Sequence, residues 1–289
     1  MVFYIHYISQ LCFFDFLLLP KLSLLLTLVH IFLLPYFYPF TFLLGSTIFF
    51  WSSLWGALYK FIEHYTSIAK QTKVEGFIIG SEFAQLTRVK DVEGHYPAVA
   101  ELVKVAKQVK FQLGKEVNVT YAADWSEYHS YDGWYNMDEL WSSQFIDVIG
   151  IDAYFPLTDG PEPPFGYSAK DVTGGWSSGV GYDYFYDYSK SDPEKIKYND
   201  SEYAWKNIEK WWSEVHVNPG GSKTKWQPKM KKIWFTEYGF PSMNGCTNEP
   251  NVFVDKGSIE SKYPRYSNGE VSFLSQKTAI EGTIMHPIN

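Results

Sequence analysis

The chain has 289 residues and a net charge of −7, from 25 basic and 32 acidic side chains. That length suits one large α/β domain or two small ones, and the negative charge argues against a nucleic-acid backbone as partner. Only Cys12 and Cys246 occur, which excludes a disulfide scaffold and a cysteine zinc site.

The first segment differs from the rest. Between Lys21 and Lys60 there is no Asp, Glu, Lys or Arg, and His30 is the only ionisable side chain. Residues 22–51, LSLLLTLVHIFLLPYFYPFTFLLGSTIFFW, exceed the ~20 apolar residues that span a bilayer. A signal peptide fits poorly, because the apolar run is too long and no basic region precedes it. Two readings stand: a membrane anchor kinked at Pro35 and Pro39, which would give membrane contact through 22–51, or a foreign or vestigial reading frame. Residues 1–52 are therefore set apart from a body at 53–289.

In the body, helical and strand patterns alternate. Residues 54–72 place Leu58, Phe61, Ile62, Tyr65, Ile68 and Ala69 at the spacing of an amphipathic helix. GFIIGSE (76–82) reads as a buried strand ending in a carboxylate. PAVAELVKVAKQVKFQLG (97–114) is a helix started by Pro97 and stopped by Gly114. EVNVTYAADWSEY (116–128) and IDVIGIDAYFP (146–156) are strands. A helix is expected over 202–216, a strand over 231–241 and a last helix over 272–284, with a long Gly-, Tyr- and Ser-rich loop at 157–201.

Near-continuous apolar strands between amphipathic helices predict a parallel sheet covered by helices. Four strands place polar residues at their C-terminal ends: Glu82, Asp124 with Glu127, Asp152 with Tyr154, and Glu237. That is where a (β/α)8 barrel keeps its active site. No Gly-rich phosphate loop is present, which disfavours a nucleotide fold. Four strands fall short of eight, so the fold class is α/β with an incomplete (β/α)8 TIM barrel, about strands four to seven with their helices if the helix at 54–72 follows strand three.

Glu82 and Glu237 each follow an apolar run and precede turn residues. Paired carboxylates are what glycosidic cleavage uses, one protonated to donate and one ionised to attack. A cap or an ion pair is the plainer role for each. Trp125, Tyr128, Tyr154, Trp176 and Tyr182 offer faces on which sugars stack, and packing is the plainer role of each ring. Asp124 and Glu127 could bond substrate hydroxyls, and Asp152 could orient a neighbour. His95, His129 and His216 lack HExxH-type spacing, so no catalytic metal is expected, and no cofactor is called for.

The stretches FIIGSEFAQLTRVKD, VTYAADWSEYHSYDGWYNMDELW, IDVIGIDAYFPLTD, GGWSSGVGYDYFYD and IWFTEYGFP with NEPNVFVD resemble the glycoside-hydrolase TIM-barrel-like domain of gene transfer agent and phage tail (baseplate hub) proteins. The similarity runs over roughly 54–285, beginning after strand three and ending before strand eight. It implies retaining chemistry, with Glu82 as acid/base, Glu237 as nucleophile and Tyr154 hydrogen-bonded to that nucleophile. Ser81 stands where many such enzymes have Asn. The implied partners are a cell-envelope polysaccharide or peptidoglycan and other tail or baseplate proteins, in a virion-like tail particle or a bacterial cell. A non-catalytic structural or glycan-binding module, or an inactive truncated product, are the alternatives. A partial barrel leaves strand edges unpaired, so poor stability alone is expected unless another chain completes it.

Overall fold

A computed structural model of the chain describes residues 39–187, 193–258 and 261–286. Residues 22–38 of the apolar segment, and any strands ahead of them, lie outside the described residues. The fold is mixed α/β around a four-stranded parallel sheet, a partial TIM-barrel-like arrangement. Its strands are β1 (Gly76–Ser81), β2 (Asn118–Asp124), β3 (Val148–Asp152) and β6 (Lys232–Glu237), in the order β1-β2-β3-β6. The described residues divide into two compact units, 39–121 with 143–148, and 122–142 with those from 149 onward.

The first unit opens with helix α1 (Pro39–Thr72), which starts fifteen residues ahead of the expected helix at 54. Its buried stripe is Trp55, Leu58, Ile62, Thr66 and Ala69, at helical spacing. Tyr65 and Ile68, expected in that stripe, lie beside it and are exposed. Among the described residues no helix is long and apolar enough to cross a membrane. A one-turn helix, α2 (Ala84–Thr87), follows β1. Helix α3 (Pro97–Leu113) begins on Pro97, whose missing N–H costs nothing at a helix start, and ends at Gly114 with φ 88°. It buries Val99, Leu102, Val105, Ala106 and Val109. Lys110 anchors its last turn, donating to Asp147 at 2.6 Å while Asp147 accepts the Val119 N–H at 2.7 Å.

The second unit holds the long insertions. β2 and β3 pair in parallel with Asp124 opposite Asp152, and all five residues of β3 are buried, as expected of an inner strand. Between them lies one short helix, α4 (Asp138–Trp141). The segment expected as a loop at 157–201 is structured. It forms helix α5 (Ala169–Gly175), capped by Ser168 and Asp171 in a reciprocal capping box, and an antiparallel hairpin of β4 (Tyr184–Asp187) and β5 (Glu194–Lys197).

The expected helix over 202–216 breaks into a 3-10 turn (Ser201–Tyr203) and helix α6 (Ile208–Ser213). The break has a physical cause. Ala204 is extended and fully buried, the Lys206 N–H bonds Gly181 O at 2.9 Å, and Asn207 starts a new helix by accepting from the Lys210 N–H. The last helix, α7 (Phe273–Ile284), packs on α5 at Gly282. A Cβ there would stand 2.6 Å from Val172 Cβ, so only glycine permits this approach.

Candidate functional site

The candidate residues lie at the C-terminal ends of strands in each unit. In the second unit, β6 delivers Glu237 where its apolar run gives way to Tyr238 and Gly239. The Glu237 carbonyl accepts the Ala153 N–H at 2.7 Å, which joins the exits of β3 and β6. One residue further along β3, the Tyr154 hydroxyl donates to Glu237 Oε2 at 2.8 Å. The chain turns at once after β3, the Tyr154 N–H bonding Asp152 O at 3.1 Å. Asp152 is fully buried, and its Oδ1 accepts the Thr236 hydroxyl at 2.7 Å. Two carboxylates thus end adjacent strands, Asp152 held by a hydroxyl of β6 and Glu237 by one from the turn after β3.

The turn after β2 is organised by its own acids. Asp124 Oδ1 accepts the Ser126 N–H at 2.7 Å and its carbonyl accepts the Glu127 N–H at 2.7 Å, an Asx-type turn. Glu127 is buried, and its Oε2 accepts the Asp124 N–H at 3.2 Å. These two acids therefore shape the turn that presents Trp125. Trp125 is half-buried, edge-on to Phe155 at 6.0 Å and to Trp205 at 5.3 Å.

The other aromatic residues divide clearly. Tyr128 is fully buried, packs edge-on against Trp211 at 5.0 Å and donates its hydroxyl to Trp205 O; burial raises its pKa well above the ordinary tyrosine value. Trp176 is also buried, stacked on Phe235 of β6 at 5.7 Å and on His286 at 5.4 Å. Both are core residues beneath the strand exits rather than open sugar platforms. Tyr182 is half-buried in the turn before the hairpin, where its N–H bonds Gly179 O at 3.0 Å.

Glu82 belongs to the first unit, at the exit of β1. Its backbone sits in the left-handed region at φ 55°, which a residue with a Cβ rarely adopts. The next N–H, of Phe83, donates to the buried Tyr121 hydroxyl at 2.6 Å, and the Phe83 ring packs on Tyr121 at 6.1 Å. This tyrosine fixes the residue after Glu82 and so helps hold the strained turn.

Several residues were passed over in sequence. Lys206 is 3% exposed and donates to Pro156 O and Ser178 O, each at 2.7 Å; burial lowers its pKa to about 7. His216 lies between the rings of Tyr135 and Trp226 and bonds Asp138 at 2.8 Å. Glu249 and Arg265 flank a cavity that also touches Trp125. The one signal for Glu249 was its place inside NEPNVFVD; nothing in the local pattern marked Lys206, His216 or Arg265. Among the described residues no three His, Cys, Asp or Glu side chains converge as a metal site would require.

The family model of the GTA TIM-barrel-like domain matches residues 55–287 of this chain. No curated protein matches it.

Proposed function

The chain belongs to the GTA TIM-barrel-like domain family, and from that membership we propose that it is a retaining glycoside hydrolase domain of a tail-like particle, acting on a cell-envelope glycan. The observation that carries this reading is the 2.8 Å hydrogen bond from Tyr154 to Glu237 at the exit of β6. A hydroxyl donated to a carboxylate fixes the position of one of its oxygens, as a nucleophile needs.

In the first step the Glu237 carboxylate attacks the anomeric carbon, the glycosidic C–O bond breaks, and Glu82 gives its proton to the leaving oxygen. In the second, water attacks the glycosyl ester while Glu82 takes the water's proton, which regenerates both carboxyl groups. Tyr154 is a positioning residue for the nucleophile. Thr236 and Asp152 lock the last residues of β6, and so the direction in which Glu237 leaves the strand. The test is release of reducing sugar from purified envelope glycan by the wild type beside Glu82→Gln and Glu237→Gln. Loss of release in both supports the reading. Release unaffected by both overturns it and leaves a structural or glycan-binding module.

A further inference from the structure

Within the second unit a cavity of about 470 Å³ is lined by Trp125, Tyr186, Trp205, Glu249, Lys262 and Arg265 among others. Its volume falls in the roughly 300–1,000 Å³ range of small-molecule sites. Trp125 is the residue next after β2, and Pro156, four residues past the end of β3, also lines it. Two of its lining residues therefore come from the turns that follow β2 and β3.

Its walls combine two kinds of surface. Trp125 and Trp205 meet at 69°, forming an aromatic corner. Opposite in character is Arg265, whose guanidinium lies 4.3 Å from the Tyr186 ring centre. Tyr186 is held by its hydroxyl, which donates to Asp159 Oδ2 at 2.9 Å, and Tyr184 donates to the same oxygen. The hairpin β4–β5 is thereby pinned as one wall.

The lining cations Arg265 and Lys262 each face a carboxylate, but loosely; Asp159, outside the lining, also stands 3.8 Å from Lys195. Arg265 stands 3.6 Å from Asp159 and 3.7 Å from Glu249, and Lys262 stands 3.5 Å from Glu249. All exceed the 2.7–3.2 Å of a normal N–H···O bond, and the buried Arg265 Nε has no hydrogen-bond partner. Glu249 itself is fixed, its Oε2 accepting the Arg265 backbone N–H at 2.8 Å. Such a site asks for a ligand with an apolar face for the indoles, and with groups that both donate and accept at its edge. A further net charge finds no uncompensated partner here, because the guanidinium and ammonium already face carboxylates.

We propose that this cavity is a binding subsite for an uncharged saccharide ring, stacked on the Trp125–Trp205 corner with its hydroxyls bridging Arg265, Lys262 and Glu249. This rests on the glycan reading above and adds where, and in which charge state, the chain is gripped. The experiment is calorimetric titration of the whole chain with neutral β-1,4-linked tetrasaccharides of N-acetylglucosamine, glucose and mannose, and with tetragalacturonate as the acidic probe.

At least one neutral probe is expected to bind, with tetragalacturonate at least tenfold weaker. Trp205→Ala and Arg265→Met should each weaken the neutral probe at least tenfold. Because Trp205→Ala could unfold the hairpin, the conservative pair Trp125→Phe and Trp205→Phe is titrated by tryptophan fluorescence. The wild-type fluorescence change on binding should vanish in that pair. No binding by any neutral probe, tighter binding of the acidic one, or affinity indifferent to Trp205 and Arg265 overturns the subsite. Binding through these residues without sugar release would keep the subsite and remove the hydrolase, so the two failures are distinct.

Discussion

Tyr154 and Glu237 join two strands through one hydrogen bond, 2.8 Å from hydroxyl to Oε2. A hydrogen bond to a charged group contributes about 1.5–3 kcal/mol, so Tyr154→Phe should lower kcat roughly 10- to 150-fold. KM should change far less. A kcat within threefold of the wild type would reduce Tyr154 to packing.

Glu82 carries its strain in the backbone, which separates its chemistry from its conformation. A left-handed L-residue costs roughly 1–2 kcal/mol, and glycine escapes that cost. Glu82→Gly should therefore be more stable than Glu82→Ala by about 1 kcal/mol in urea unfolding, while both lose glycan release. The reverse order would mean that φ 55° at this position is not strained.

The buried Lys206 makes stability depend on pH in a defined direction. Burial lowers its folded pKa from 10.5 to about 7, so the folded state disfavours the charged amine. The penalty is complete below pH 7 and disappears as pH rises towards 10.5, where the unfolded chain also loses the proton. Stability should rise across pH 7–10.5 relative to Lys206→Met, whose slope should be flatter. The slope is the readout, because methionine also leaves the Pro156 and Ser178 carbonyls without their donor.

His216 presents Nε2 to Trp211 O at 2.7 Å and Nδ1 to Asp138 at 2.8 Å, both buried acceptors. His216→Phe keeps the stack between Tyr135 and Trp226 but leaves the Asp138 carboxylate without its histidine. Leaving a buried polar group without its partner in this way costs about 1–3 kcal/mol, measurable by chemical denaturation. Adding Asp138→Leu should recover part of the loss. A double variant no more stable than the single one would show that the pair is not coupled.

The strands and their exits were legible because their signals are local. Val119–Ala123 and Val148–Asp152 are apolar runs of strand length, and each stops at an acid. Glu237 and Tyr154 could be placed on one edge from that pattern. The hairpin β4–β5 was not visible, since its strands, YFYD and EKIK, are short and mostly polar on one side. It is held by distant Asp159 and Arg265, which no periodicity reports. The 202–216 helix failed for a similar reason. Its periodic Trp residues are apolar enough, but Lys206 is drawn into the interior by carbonyls of Pro156 and Ser178 and the backbone follows. Tyr128 and Trp176 read as stacking faces because aromatic identity says nothing about burial; the rings of Trp211 and Phe235 cover them.

The most direct test of Glu237 as nucleophile is the anomeric configuration of the first-formed reducing ends, followed by NMR during digestion of purified envelope glycan. The wild type should give ends that retain the configuration of the cleaved bond. Glu237→Ala should be inactive until azide is added, and should then yield the glycosyl azide of opposite configuration. Inverted ends from the wild type, or sugar release by Glu237→Ala without azide at the wild-type rate, would contradict it.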